Sequence, residues 1–177
     1  AGLQTDARSM RQQIAAVAGY NDKAVRAGSG ELIFSNVASR IPSAIGQEMD
    51  AIAALRPRVL KPGVHTVIAL HPADGQRVSN RMWVEMVLEY RQRMGLEEGQ
   101  VVVWRHTDKP HPHIHCLFNR VTVNEKVVGM WNMKRKLEAF AADMRRQYGL
   151  RGLLEQEFHG IHPELSQQKT GGMGFGM

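Results

Sequence analysis

Two runs of strand-forming residues, 100–106 (QVVVWRH) and 113–121 (HIHCLFNRV), are joined by the short segment 107–112 (TDKPHP), which carries two prolines. β-branched and aromatic residues dominate both runs, and proline cannot donate to a ladder, so the chain turns between them. The pattern predicts two antiparallel neighbours in one sheet and excludes an all-helical fold.

Side chains alternate along a strand, so His113, His115, Leu117 and Asn119 share one face, while Ile114, Cys116, Phe118 and Arg120 take the other. His106 closes the preceding strand, and a strand spacing of about 4.8 Å brings its ring toward the same point. Residues 106–120 thus hold four of the chain's eight histidines. Three converging neutral imidazoles form a metal-ligand pattern with coordination positions left open, suited to a divalent ion acting as a Lewis acid. Imidazole favours transition metals, but ligand type alone does not separate zinc, manganese, nickel and magnesium. Asp108 offers a carboxylate for the second ring nitrogen of His106. Asn119, on the same face, offers an amide to a phosphate or a ligand. His111, between prolines, has no direction set by strand alternation. His65, His71, His159 and His162 are expected to be ordinary solvated or core residues.

Around this pair the periodicities predict further elements. A short helix is expected over 8–20, frayed at Gly19, then a basic, turn-rich segment and a strand over 31–36. A helix capped by Ser43 should stop before Pro57, and 64–72 (VHTVIALHP) reads as a central strand. Ser79 should cap a helix whose apolar stripe is Trp83, Met86, Val87, Tyr90 and Met94. Residues 123–131 look like a small hairpin extension. A last helix carries Leu137, Phe140, Ala141, Met144 and Tyr148 on one stripe and Lys134, Arg135 and Lys136 elsewhere. Beyond Arg151 no period survives, and an irregular tail is expected.

At 177 residues and 43% hydrophobic content the chain fits one domain. The lone cysteine excludes an internal disulfide, and no stretch reads as a signal peptide or a membrane span, so a reducing cytoplasm is expected. A net charge of +6 points to a polyanion, nucleic acid ahead of an anionic membrane surface.

A metal beside a polyanion suggests phosphodiester chemistry, with either water or a side chain as attacking group. Cys116 points away from the histidine face, and Tyr90 and Tyr148 lie on core stripes. Tyr20 remains, at an expected helix end beside a basic segment. Its phenol has a reference pKa of about 10, so attack needs a base or a nearby cation.

The segment HTDKPHPHIHCLFNR resembles the third motif of conjugative relaxases of the HUH endonuclease superfamily, especially the P-type mobilisation class. His106, Asp108, His113, His115 and Asn119 all fall in step with it. AGYNDKAVRAGSGELIFSNV is similar to the segment around that class's nucleophilic tyrosine, and KPGVHTVIALHPADG to its second motif. LEAFAADMRRQYGL resembles the helix closing the catalytic core, so the likeness covers roughly residues 8–150 in family order. Two departures stand out: AGLQTDARS is a poor match to the strand that usually precedes the tyrosine helix, and Leu70 and His71 replace a serine of some relatives.

The resemblance implies an α+β sandwich, with a central antiparallel sheet that bears the H-x-H strand, helices packed over it and a cleft for single-stranded DNA. It implies a nuclease domain over 1–150 and an irregular segment over 151–177, leading to a further C-terminal region or ending a small mobilisation protein. The implied activity is nicking at a plasmid or integrative-element origin of transfer, with Tyr20 as nucleophile. A divalent ion, magnesium or manganese in use with zinc or nickel able to occupy, would sit on His106, His113 and His115. Asp108 would orient His106, and either residue would accept the phenolic proton. Asn119 joins the catalytic set, and Arg26, Arg120, Lys134, Arg135 and Lys136 would contact DNA, with Trp104 or Trp131 stacking on a base. The implied partners are single-stranded or supercoiled origin DNA, relaxosome accessory proteins and a coupling protein, without membrane insertion. Three rivals remain open: a rolling-circle initiator or single-strand transposase of the same superfamily, a non-catalytic metal-stabilised DNA-binding module, and a water-activating metallohydrolase.

Overall fold

The computed structural model describes the backbone of residues 2–158 and the side chains of 14–153. Its elements follow the order α1 (Gly2–Arg26), β1 (Gly30–Ser35), α2 (Pro42–Ala53), β2 (Gly63–Leu70), α3 (Asn80–Arg93), β3 (Val101–His106), β4 (His113–Asn119), α4 (Met133–Tyr148) and β5 (Leu153–Phe158). The five strands form one antiparallel sheet in the order β1-β3-β4-β2-β5. The expected pair is therefore adjacent and interior, with His106 directly opposite His113 and Trp104 opposite His115.

Helices cover both faces, so every residue of β4 is buried. On one face Ile114, Cys116 and Phe118 pack with Trp83, Met86, Val87 and Tyr90 of α3 and with Phe140 and Met144 of α4. On the other, Val102, Trp104 and Leu117 pack with Ile14, Val17 and Ala18 of α1 and with Ile45, Met49 and Ala53 of α2. The alternation that put the histidines with Leu117 therefore turns them toward α1. Trp104 is 2% exposed and belongs to this core, so it is no platform for a base. The tyrosine at 90 is likewise structural, its hydroxyl sharing a hydrogen bond with the Thr66 hydroxyl at 3.1 Å inside the opposite core.

Four expectations need correction. First, α1 does not fray at Gly19: it runs through Tyr20 to Arg26, and Gly28, at φ +77°, takes the left-handed conformation that ends it. Gly19 lies exposed with nothing near its Cβ position, and its helix-breaking tendency of about 1 kcal/mol is outweighed by the burial of Ile14, Val17 and Ala18. Second, Ser43 is inside α2, whose N-cap is Ile41 with Pro42 as the first helical residue. Third, residues 153–158 are not irregular but form β5 along β2, from Leu70 opposite Leu153 to His65 opposite Phe158. This strand follows the expected nuclease boundary at residue 150; residues 159–177 lie outside the described part of the chain. Fourth, the hairpin expected over 123–131 reduces to a tight turn closed by one bridge, Val121 to Val127.

Ser79 caps α3 as expected, accepting from the Met82 amide at 3.2 Å. The α1–α2 crossing is tight: a Cβ on Gly46 would stand 2.7 Å from the Ala15 Cα, so the helices meet backbone to backbone.

Candidate active site

The antiparallel register places His106 and His113 side by side at the ends of β3 and β4, and His115 two residues further along the same face. The ring of His106 stands 4.1 Å from that of His115 and 5.5 Å from that of His113, centroid to centroid. One nitrogen from each lies within 4.8 Å of the others, a spacing that fits a common cation. All three residues are buried.

Hydrogen bonding decides which nitrogens are free for such a cation. Nδ1–H of His113 donates to the carbonyl of His111 at 3.1 Å, which fixes the tautomer and leaves Nε2 as the lone pair. Nδ1 of His115 is bonded to Nε2 of His65 at 2.9 Å, again leaving Nε2. Nε2 of His106 is buried with no hydrogen-bond partner. An orphaned buried nitrogen beside two others with their opposite sides already engaged is a donor set suited to a metal ion.

Burial holds the imidazoles in the neutral, ligating form. It lowers the pKa of His106 to about 4, with His113 and Lys109 adding to the effect and Asp108 opposing it. His115 falls well below its usual value by burial and by its histidine neighbours. His113 falls less, because the His111 carbonyl and Asp108 favour its charged form.

Asp108 is present at the cluster, but its Oδ1 lies 3.4 Å from Nε2 of His113 and 3.9 Å from Nδ1 of His106. The carboxylate thus lies nearer the cation-facing nitrogen of His113 than Nδ1 of His106, and its contact with His106 is longer than a hydrogen bond. Tyr20, half-buried on α1, holds its ring centroid 6.3 Å from both His106 and His115. Burial and the negative charge of Asp108 raise its pKa, so the phenol is protonated at neutral pH and Asp108 lies within electrostatic reach of it.

The remaining expected residues divide. Arg26 sits near the end of α1 beyond Tyr20, largely exposed and paired with Asp22 at 3.3 Å. Asn119 shares the histidine face but stands four residues from His115, about 13 Å along the strand. Its side chain donates to the Met49 carbonyl at 2.9 Å and to Gln100 at 3.0 Å, and accepts from the Val121 amide at 3.1 Å. It ties β4 to α2 and is not gathered with the histidines, which corrects its catalytic assignment. Asn119→Ala would leave these buried partners unmatched and is expected to lower stability by about 3 kcal/mol in urea unfolding, with the metal affinity of the folded fraction unchanged.

Arg120 is likewise engaged: Nε donates to the Val128 carbonyl and Nη1 to the Lys61 carbonyl, both at 2.8 Å. These bonds strap two loops together, with the side chain half-buried. Lys134, Arg135 and Lys136 open α4, on the other face of the sheet from the histidines. Lys136 lies 5.1 Å over the ring of Trp131, which is 72% exposed.

His71 accepts from the Ala73 amide at 3.1 Å and caps a turn, in keeping with an ordinary role; His159 and His162 lie outside the described residues. His65, expected to be an ordinary solvated or core residue, is buried and hydrogen-bonded to His115. Its signal was present, since it occupies a strand position of the same parity as Val67 and Ala69, but only the β2–β4 register reveals which strand it faces.

A metal-competent histidine trio under a helix-borne tyrosine, in a basic protein, is suited to phosphodiester chemistry. A family model described as "Relaxase: MobA/VirD2-like, nuclease domain" matches residues 6–150. No match is found among curated proteins or among solved structures. The match runs from within α1 through α4 and contains Tyr20 and the whole histidine cluster: the chain belongs to the relaxases, as a MobA/VirD2-like nuclease domain.

Proposed function

We propose that this relaxase, of the P-type mobilisation class, nicks one DNA strand at the origin of transfer of a plasmid or integrative element by transesterification. The observation that carries the reading is the Tyr20 ring, mounted on a helix 6.3 Å from two rings of the histidine trio. A divalent ion on His106, His113 and His115 would supply Lewis-acid charge neutralisation at the scissile phosphate; magnesium or manganese is our assignment. The Tyr20 oxygen attacks phosphorus, the bond to the 3′ oxygen breaks, and the products are a 5′-phosphotyrosyl link and a 3′-hydroxyl. With Nε2 of His106 reserved as a ligand, Asp108 is the acceptor we assign to the phenolic proton. The bond energy stays in the covalent link, so the reverse attack by a 3′-hydroxyl rejoins strands without ATP.

The rolling-circle alternative needs a tyrosine after the H-x-H strand. Tyr148 occupies that place in sequence, but it belongs to α4 on the far face and its hydroxyl donates to Glu85 at 3.2 Å. We take the nuclease unit to extend through β5, and we retain a reducing cytoplasm, accessory proteins and a coupling protein as parts of the proposal. No helix among the described residues is long and apolar enough to cross a membrane.

The test incubates the protein with manganese and single-stranded oligonucleotides tiled across the host element's transfer region, followed by denaturing gels. A metal-dependent covalent adduct is the expected result. Cleavage without adduct would replace the reading with hydrolysis, and binding of authentic origin DNA without any cleavage would replace it with a binding module.

We further assign Arg26 to the strand near the tyrosine, and Lys134, Arg135 and Lys136 with Trp131 to a distal stretch of single strand. Changing the last three cations together to alanine is expected to lower the salt dependence of single-strand binding by about 2 in log–log slope. Anisotropy titrations at several salt concentrations check this, and an unchanged slope removes α4 from the interface.

A further inference from the structure

A histidine that ligates through one nitrogen must place the proton of the other, and two of the three rings do so through a hydrogen bond, while the third has a carboxylate 3.9 Å away. His113 uses a backbone carbonyl, His106 faces the Asp108 carboxylate, and His115 meets a second imidazole, His65. Resting on the reading of the trio as a metal site, we infer that His65 is the positioning residue of His115. It accepts the Nδ1–H and so holds Nε2 of His115 toward the ion.

The geometry supports this from several directions. Leu117 is the register partner of His65 and Val67 that of His115, so the two histidines are diagonal neighbours on one face of the β2–β4 pair. Their rings lie 5.2 Å apart with planes 24° from parallel, and the connecting nitrogens are 2.9 Å apart. Both residues are buried, at 3% and 9% exposure, so neither can exchange the other for bulk water. Ligation through Nε2 leaves His115 as the donor, and His65 must then present a lone pair on Nε2 and carry its own proton on Nδ1.

The choice of imidazole has a chemical consequence. A carboxylate acceptor would bring a negative charge up to the ligand and offset part of the cation's field. An imidazole acceptor orients the ring through a neutral, weaker hydrogen bond without that charge, so more of the cation's positive potential faces an approaching phosphodiester.

The experiment titrates the full chain and two variants, His65→Leu and His65→Gln, with Co²⁺, following the d–d absorption and the heat of binding, with thermal unfolding of each metal-free protein alongside. Glutamine presents a carbonyl oxygen near the place of Nε2, whereas leucine fills space and accepts nothing. Leucine is expected to weaken Co²⁺ binding 10- to 100-fold and to alter the absorption, and glutamine to restore affinity to within a few-fold of wild type. A purely structural role would instead lower the unfolding temperature of both variants and leave affinity and spectrum alone. If the wild-type chain takes up no Co²⁺, the metal reading and this inference fall together. If wild type binds and the leucine variant matches it, only the role of His65 falls. If the leucine variant does not fold, His65→Ala takes its place: a loss beyond 10-fold in alanine that glutamine restores supports the inference, and alanine affinity within a few-fold of wild type overturns it.

Discussion

Tyr20→Phe is expected to eliminate the covalent protein–DNA adduct and to lower nicking by a factor on the order of 10⁴ or more, the scale at which enzymes lose activity with their nucleophile. Stability should hardly change, within about 0.5 kcal/mol, because the ring remains and its environment is half-exposed. The control is Tyr148→Phe, which removes one hydrogen bond to Glu85 on the far face of the sheet and should leave the adduct intact. The measurement is a denaturing gel of manganese-treated origin oligonucleotide with each protein. An adduct that survives in the Tyr20 variant would transfer the nucleophile elsewhere and dismantle the proposed mechanism.

Acid is expected to unfold the metal-free protein well above the pH at which carboxylates alone would do so. In the folded chain, burial and neighbouring imidazoles lower the pKa of His65 and of His106 to about 4, against an ordinary value of 6.5. Between these limits the unfolded chain binds more protons than the folded one, so stability falls as pH falls; above 6.5 the contribution is complete and flat. At neutral pH the two rings together contribute several kcal/mol, lost progressively from pH 6.5 down to 4. Urea unfolding followed by tryptophan fluorescence at pH 7, 5.5 and 4.5 checks this through the midpoint. A saturating divalent ion should move the loss to lower pH, since it binds only the deprotonated rings. A midpoint that is level across the range would mean the cluster is open to water.

The histidine face was legible in the sequence because a strand repeats every two residues, and two proline-separated runs leave little freedom in pairing. His106, His113 and His115 needed no more than that. Elimination singled out Tyr20, and its ring does stand beside the histidines, but its setting differs: Gly19 resembles a helix end, and only the packing of Ile14, Val17 and Ala18 against the sheet explains why the helix continues. Asn119 illustrates the opposite limit. Its parity was correct, yet parity says nothing of distance along a strand, nor of the Met49 carbonyl that α2 brings to it. His65 and β5 both depended on which strands become neighbours of β2, information that no local pattern carries. The sequence of β5, LLEQEF, also lacks the β-branched residues that mark interior strands.

The close crossing of α1 and α2 bears on how finely the Tyr20 phenol, our proposed nucleophile, is aimed. Where Gly46 meets the Cα and methyl of Ala15 there is no flexible side chain to give way, so α1 rests against its neighbour as a rod rests on a hard fulcrum. Tyr20 lies five residues beyond that point, about 8 Å along the rod, and the histidines sit on a different support, the sheet. An added methyl group at position 46 would tilt the rod and swing the phenol away from its target without touching either. A misplacement of about 1 Å can cost a hundredfold in rate, so the alignment of the reaction is gauged partly by an atom the chain leaves out.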